Sequence, residues 1–146
     1  MKRVNPQEDF CVACRLCEVY CTTEHSQAKD PIRAYKEEKP FPLTRIFLQK
    51  EGATSIAINC RHCDEPRCAW SCVSGALSKN PVTGVVEYQA NKCIGCWTCI
   101  VACPYGVITR DVSRSKIAKC DMCPDRQIPA CIAVCPNRSL VLAEAE

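Results

Sequence analysis

The chain has 146 residues, of which 16 are cysteines, and its 19 basic residues exceed its 16 acidic residues to give a formal charge of +3. Such a cysteine-rich composition is typical of a small domain cross-linked by disulfides or metal, and the charge is too small to indicate a nucleic-acid-binding protein. The first residues lack the apolar run and the twin arginines of a secretion signal, and no apolar stretch is long enough to span a membrane. We therefore expect a cytoplasmic protein with reduced thiols.

The cysteines form four groups of four along the chain. They are Cys11, Cys14, Cys17 and Cys21; Cys60, Cys63, Cys68 and Cys72; Cys93, Cys96, Cys99 and Cys103; and Cys120, Cys123, Cys131 and Cys135. Groups one and three share the spacing C-x2-C-x2-C-x3-C, whereas groups two and four have a longer middle interval. This alternation indicates that a unit of two motifs has been duplicated.

Short β-prone segments and turns lie between the groups. Residues 44–48 and 54–58 predict a hairpin around Glu51-Gly52. Asn80–Gly84 predicts a turn that leads into a strand over Val85–Tyr88.

Three further features concern the connections. Segment 26–42 carries several charged residues and three prolines, and this composition predicts a solvent-exposed loop. The last four residues predict a frayed end. After each of the later fourth cysteines the chain is expected to leave a short helix and enter a strand, over 73–78, 105–109 and 137–142.

The cysteine spacing favours [4Fe–4S] clusters, which need one thiolate for each iron. Three cysteines at two-residue intervals let one loop cover a face of the cube, and we expect the fourth cysteine, at the start of a helix, to reach a neighbouring cluster. Zinc sites commonly use two well-separated cysteine pairs, and disulfides require an oxidising compartment. The pattern therefore predicts that all sixteen cysteines bind iron, and it offers no catalytic acid, base or nucleophile.

The sequence text resembles a known family from Phe10 to about Leu142. The segments that carry the resemblance are CRLCEVYC, CRHCDEPRC, CIGCWTCIVACPYG, KCDMCPD and PACIAVCP. They resemble the four-cluster ferredoxin-like electron-transfer subunits of the dimethyl sulfoxide reductase iron–sulfur subunit type. Within that group they look most like the iron–sulfur subunit associated with nickel carbon monoxide dehydrogenase.

The resemblance implies an α+β fold of two bacterial-ferredoxin-like 2[4Fe–4S] units in a pseudo-two-fold arrangement, with short hairpins and helices. Residues 1–25 plus 110–146 would form the outer unit, 26–59 a β-hairpin connection, and 60–109 the inner unit.

The resemblance also implies which cysteines share a cluster. The four sets would be Cys11, Cys14, Cys17 and Cys135; Cys120, Cys123, Cys131 and Cys21; Cys60, Cys63, Cys68 and Cys103; and Cys93, Cys96, Cys99 and Cys72. The exchange of fourth cysteines agrees with the ferredoxin rule, which by itself does not choose whether group one pairs with group two or with group four. Cys21 and Cys72 lack the following proline that Cys103 and Cys135 have, and this departure leaves the local backbone geometry there open.

The function that the resemblance implies is an electron relay through four [4Fe–4S] clusters. The relay would link a catalytic oxidoreductase, with carbon monoxide dehydrogenase as the first candidate, to a flavoprotein, a hydrogenase or a ferredoxin. The alternatives are a subunit of an aldehyde ferredoxin oxidoreductase, formate dehydrogenase or hydrogenase complex, or a freely diffusing polyferredoxin. We expect His62 to pack or hydrogen-bond beside a cluster, and Trp70 and Trp97 to shield clusters from water.

Overall fold

A computed structural model of the chain describes residues 2–144, which form short helices and paired strands. The α-helices are α1 (Leu16–Glu24), α2 (Pro31–Glu37), α3 (Arg67–Trp70), α4 (Thr98–Ala102) and α5 (Ala130–Ala133), and a 3-10 helix covers Glu8–Phe10. The strands are β1 (Lys2–Pro6), β2 (Ile46–Glu51), β3 (Thr54–Asn59), β4 (Leu77–Lys79), β5 (Val86–Tyr88), β6 (Thr109–Asp111), β7 (Lys116–Ala118) and β8 (Leu140–Glu144). The predicted α+β class is confirmed.

The strands pair as two-stranded antiparallel sheets. Three of these sheets are hairpins of neighbouring strands, β2–β3, β4–β5 and β6–β7, whereas β1 pairs with β8 and joins the two ends of the described chain. Lys2 lies opposite Glu144 and Pro6 opposite Leu140. The predicted frayed end is therefore wrong for Ala143 and Glu144, which belong to β8, while residues 145 and 146 lie outside the described residues.

The predicted hairpin around Glu51-Gly52 and the predicted turn and strand after Asn80 are confirmed. Ile46 pairs with Asn59 at one end of β2–β3, and Glu51 pairs with Thr54 beside the turn. In the β4–β5 hairpin the Asn80 side-chain oxygen accepts hydrogen bonds from the backbone N–H groups of Val82 and Thr83. Asparagine side chains commonly stabilise turns in this way.

Segment 26–42 contains helix α2, so the predicted loop is wrong in its middle. The Asp30 carboxylate caps this helix by accepting hydrogen bonds from the N–H groups of Ile32 and Arg33, and Pro31 occupies the first turn. An acidic cap followed by proline is a common helix start. Ala34 of α2 is buried, which anchors the segment to the rest of the protein.

The buried side chains form two hydrophobic cores. The first contains Val4, Ile46, Leu48, Ala57 and Leu140 together with cysteines of groups one and four. The second contains Leu77, Val86, Ile108 and Ile117 together with Cys99. Each core thus packs against cysteine loops. Among the helices of residues 2–144, none has the length and apolar character of a membrane span.

Candidate metal centre

Each cysteine group combines an irregular loop with the first turn of a helix. The third cysteine is the second residue of its helix in every group: Cys17 in α1, Cys68 in α3, Cys99 in α4 and Cys131 in α5. The first two cysteines of each group lie in the preceding loop.

The fourth cysteine lies at or near the end of the helix, not at its start as we expected. Cys103 directly follows α4, Cys72 and Cys135 lie two residues beyond α3 and α5, and Cys21 lies within α1. The reason is that the helix already begins at the third cysteine, so the x3 interval spans about one helical turn. In α1, which continues past Cys21, the third and fourth cysteines lie about one turn apart on the helix.

The structure brings cysteines of different groups together around three cavities. Each cavity is lined by three cysteines of one group and the fourth cysteine of another. The sets are Cys11, Cys14, Cys17 and Cys135; Cys60, Cys63, Cys68 and Cys103; and Cys93, Cys96, Cys99 and Cys72. Four sulfur atoms around one concave space fit the ligand demand of a [4Fe–4S] cube.

The remaining four cysteines lie close to one another. Burial raises the pKa of Cys120, Cys123 and Cys131, and the negative charge that a Cys21 thiolate would carry raises it further in all three. Cys21 therefore lies near group four, although it belongs to group one in sequence. The structure thus places group one beside group four and group two beside group three, and the assignment of these sets as cluster ligands stays a prediction.

The buried thiols depend on a cation to become thiolates. Burial raises the pKa of Cys17 and Cys99 to about 11 and that of Cys131 to about 12. Such thiols are neutral near pH 7 unless a metal replaces the proton. The chemistry of these sites therefore fits iron ligation.

His62, between Cys60 and Cys63, is fully buried. Burial, assisted by the positive charge of Lys119, lowers the pKa of His62 to about 3, so the ring is neutral. The Nδ1 atom accepts a hydrogen bond of 3.0 Å from the Val86 N–H, which places the ring proton on Nε2. The predicted packing and hydrogen-bonding role agrees with this placement.

Of the buried N–H donors without a hydrogen-bond partner within residues 2–144, two lie inside cysteine loops. They are Nε2 of His62 and Nε1 of Trp97. Each lies in a cysteine loop, and N–H groups directed at cluster sulfur are a common means of setting a potential. These unpaired donors are a second feature that fits a bound cluster.

The two tryptophans differ in their surroundings. Trp97 lines the cavity of Cys93, Cys96, Cys99 and Cys72, and the Arg110 guanidinium lies 3.7 Å from its ring centroid. Trp70 is 66% exposed, so the shielding role that we predicted for both residues fits Trp97 and does not fit Trp70.

A polar network beside group four was not predicted from the sequence. The His25 Nε2 atom lies 3.2 Å from the Asp121 carboxylate, and Arg45 also binds this carboxylate. Burial lowers the pKa of His25, but the interactions with Asp121 and the hydrogen bond to Cys21 together outweigh burial and raise it to about 9. Burial likewise opposes ionisation of Asp121, yet His25 and Arg45 hold its pKa well below the usual range.

Ligand atoms of His25, Asp121 and Cys123 lie within 4.8 Å of one another. Because Arg45 already neutralises Asp121, we interpret the network as a structural link between α1, the segment before β2 and group four. Residues 25 and 121 are 96 positions apart, so no local motif could have indicated their contact.

Comparison with known proteins decides the family. The 4Fe-4S dicluster domain family matches residues 53–145. The chain belongs to this family. It is also 37% identical to the electron transport protein HydN of Escherichia coli K12, over 92% of this chain and 83% of HydN.

Two further comparisons extend this result. The chain is 28% identical to the hydrogenase-2 operon protein HybA of Escherichia coli O157:H7, over 94% of this chain and 50% of HybA. Its fold is similar to a chain of the active site complex BamBC of benzoyl coenzyme A reductase, with a TM-score of 0.53 and 20% identity over 100% of this chain and 80% of that chain.

The family member described here is thus an iron–sulfur protein of the electron-transport type. The prediction of an electron carrier without a catalytic site of its own agrees with the name of HydN.

Proposed function

We propose that the chain relays electrons through four [4Fe–4S] clusters between a catalytic oxidoreductase and a second redox partner. The observation that supports this proposal is the gathering of all sixteen cysteines into four crossed sets of four. A set of four thiolates satisfies one cube completely and leaves no iron free for substrate. A protein with four such clusters would therefore transfer electrons without binding a substrate at iron.

The order of the sites supports a linear relay. Cys131 is near Cys17 of the group-one site and Cys120 is near Cys60 of the group-two site, because charge on Cys17 or Cys60 would raise the pKa of its neighbour beyond the effect of burial. The group-four site consequently lies between the sites of groups one and two. The proposed order of the sites, named by the group that supplies three ligands, is one, four, two and three.

Each end site has an exposed cysteine. Cys14 in group one and Cys96 in group three are the two cysteines in the exposed class. We propose that electrons enter and leave at these ends, since a partner can approach a cluster there with little intervening protein.

The division into two cluster-binding units is also proposed. The two hydrophobic cores support an outer unit of groups one and four and an inner unit of groups two and three. Ile117 of β7 packs in the second core, so we assign the β6–β7 hairpin to the inner unit although the resemblance implied a boundary at residue 109.

The identity of the catalytic partner is the most specific part of the proposal. Carbon monoxide dehydrogenase remains our first hypothesis because of the sequence resemblance, and the similarity to HybA supports the alternative of a hydrogenase complex. A cytoplasmic location and a flavoprotein, hydrogenase or ferredoxin as the other partner complete the hypothesis. Size-exclusion chromatography of a native extract distinguishes a subunit, which co-elutes with a larger enzyme, from a freely diffusing polyferredoxin, which elutes near 16 kDa.

Anaerobic reductive titration followed by electron paramagnetic resonance tests the relay. We expect about four one-electron reductions per chain, with magnetic coupling between neighbouring clusters. Uptake of about two electrons, or four clusters without mutual coupling, would contradict a continuous relay.

A further inference from the structure

Three lysine side chains contact the backbone of cysteine loops. The Lys79 ammonium donates a hydrogen bond of 3.0 Å to the Cys63 carbonyl oxygen, Lys116 donates to the Cys93 carbonyl oxygen, and Lys119 donates to the Cys120 carbonyl oxygen at 2.7 Å. These cysteines belong to groups two, three and four. Three of the four proposed sites therefore have an ammonium group attached to a ligand loop.

The corresponding contact in group one is neutral. The Cys11 carbonyl oxygen accepts a hydrogen bond of 2.8 Å from the Ser55 hydroxyl. The Glu18 carboxylate, next to Cys17 in the sequence, pairs with the Arg15 guanidinium at 3.1 Å, so these two charges largely cancel. Glu18 is fixed there by the Leu48 N–H, which donates to its Oε1 at 2.7 Å. The contacts described for group one thus include no lysine ammonium on a ligand loop.

Lys119 is the most deeply placed of the three lysines. It is 2% exposed, and besides the Cys120 carbonyl its Nζ atom contacts the Val86 carbonyl at 2.6 Å. Neither carbonyl carries a formal charge, and a buried ammonium is costly unless negative charge lies close to it. Two anionic clusters on either side would supply that charge.

The electrostatic influence of Lys119 reaches two cysteine groups. The Cys120 carbonyl that accepts from Lys119 belongs to group four, and the other acceptor, Val86, lines the cavity of group two. These groups form the two central sites of the proposed relay. Lys119 is therefore near both.

We propose that Lys79, Lys116 and Lys119 raise the reduction potentials of their clusters and leave the group-one cluster as the most reducing end of the relay. The proposal rests on the four-cluster function above. An oxidised cube with four thiolates carries about −2, and one-electron reduction takes it to about −3. A nearby fixed positive charge stabilises the more negative state, and burial preserves this attraction because it limits screening.

The three lysines differ in expected strength. Lys119 has the largest effect because it is buried and hydrogen-bonded to neutral carbonyls. Lys116 follows, since it is partly exposed. Lys79 has the smallest effect, because it is partly exposed and its Nζ atom also pairs with the Asp64 carboxylate at 2.9 Å, which offsets part of its charge although Arg3 shares this carboxylate.

Potentials of cluster-loaded variants test the proposal. The variants are Lys119→Met, Lys116→Met and Lys79→Met, with Lys119→Arg to keep the charge and the exposed Lys50→Met as the control. Each is measured by redox titration monitored by electron paramagnetic resonance, with iron content determined on the same sample. For Lys119→Met we expect the reduced-to-oxidised ratio of at least one central cluster to fall about tenfold at fixed potential, equivalent to about 59 mV for one electron.

The remaining variants complete the test. Lys116→Met and Lys79→Met should lower one cluster potential each by smaller amounts, while Lys119→Arg and Lys50→Met should match the unmodified protein. Unchanged potentials in Lys119→Met with full iron content would overturn the proposal. If Lys119→Met fails to fold, unchanged potentials in iron-loaded Lys116→Met overturn it instead. Failure of the four-cluster function is a separate result, because the unmodified protein would then lack four reducible clusters.

Discussion

Groups one and three have the same cysteine spacing but different helices. Helix α1 of group one extends over nine residues, whereas α4 of group three has five. Pro104 follows Cys103, which adopts an extended conformation at ψ 115°, as expected for a residue that precedes proline. Thr22 follows Cys21 and the helix continues. In this pair of groups, proline after the fourth cysteine accompanies the shorter helix, although α3 of group two is also short without a proline after Cys72. In both groups of the pair the fourth cysteine still approaches another group.

The longer helix gives group one additional contacts. The Thr22 and Thr23 hydroxyls donate to the carbonyls of Glu18 and Val19, and His25 at the end of α1 reaches Asp121 beside group four. Group three has no such extension, because its chain turns away at Pro104. Because no proline follows Cys21, α1 continues to His25, and the contact of His25 with Asp121 links α1 to group four.

The loops of groups one and three also differ at one position. Ala13 and Gly95 both precede the second cysteine and both have positive φ, 56° and 74°. A Cβ atom on Gly95 would lie 2.5 Å from the Ser115 carbonyl oxygen, so group three requires glycine by close packing. Group one tolerates alanine at the equivalent place.

The largest expected effect comes from removing an exposed ligand at either end. Cys14→Ser and Cys96→Ser should each lose up to one cluster, about four of about sixteen irons, because each cube needs four thiolates. Iron analysis and electron paramagnetic resonance measure the loss, with Ser113→Ala as a surface control. With a catalytic partner bound, electron transfer through the chain should slow while dye-linked activity at the partner's own site persists. Full iron content in either cysteine variant would remove that residue from the ligand set.

The next effect concerns helix length. Thr22→Pro should shorten α1 toward the form of α4 and lower the free energy of unfolding by about 3 kcal/mol, because proline removes a helical hydrogen bond and clashes with the preceding turn. Pro104→Ala is the matched change in group three and should alter stability by less than about 1 kcal/mol. Anaerobic denaturant unfolding compares them, and equal losses would show that the two helices do not differ in the way described.

The loop comparison gives a smaller effect. Gly95→Ala should cost about 2 kcal/mol, since it adds a side chain at positive φ and against the Ser115 carbonyl. The reciprocal control, Ala13→Gly, should change stability by less than about 1 kcal/mol. Thermal unfolding of the cluster-loaded variants measures both. A Gly95→Ala protein as stable as the original would mean that Ser115 moves without cost.

The smallest effect concerns the link at the end of α1. Asp121→Asn removes the charge that holds His25 and Arg45 and should cost about 1–2 kcal/mol, because charge-assisted hydrogen bonds are lost. Glu37→Gln, in the exposed Arg33 pair, should cost about 0.5 kcal/mol or less. Urea unfolding at pH 7 distinguishes them, and the link would be unimportant if the two variants unfolded at the same concentration.

Elements with a local signal were predictable from the sequence. The β2–β3 hairpin has β-prone runs on both sides of a turn, and in the β4–β5 hairpin Asn80 and Gly84 are residue types that favour turns. Helix α2 also had a signal, the Asp30 cap followed by Pro31, which the many charges of the segment concealed.

Elements that depend on distant contacts were not predictable. Strand β1 contains Lys2, Arg3, Asn5 and Pro6, which have little strand preference, and it forms by pairing with β8 at the other end of the chain. The contact of His25 with Asp121 likewise joins residues that are far apart in the sequence. The exchange of fourth cysteines was predictable from their spacing, but the choice of group four over group two as the partner of group one followed from a family resemblance.

Metal and sulfide analysis of anaerobically prepared protein tests the central claim most directly. We predict about sixteen irons per chain with an equal amount of acid-labile sulfide, because four complete sets of cysteines each bind one cube. Zinc in place of iron, or iron without matching sulfide, would contradict the account.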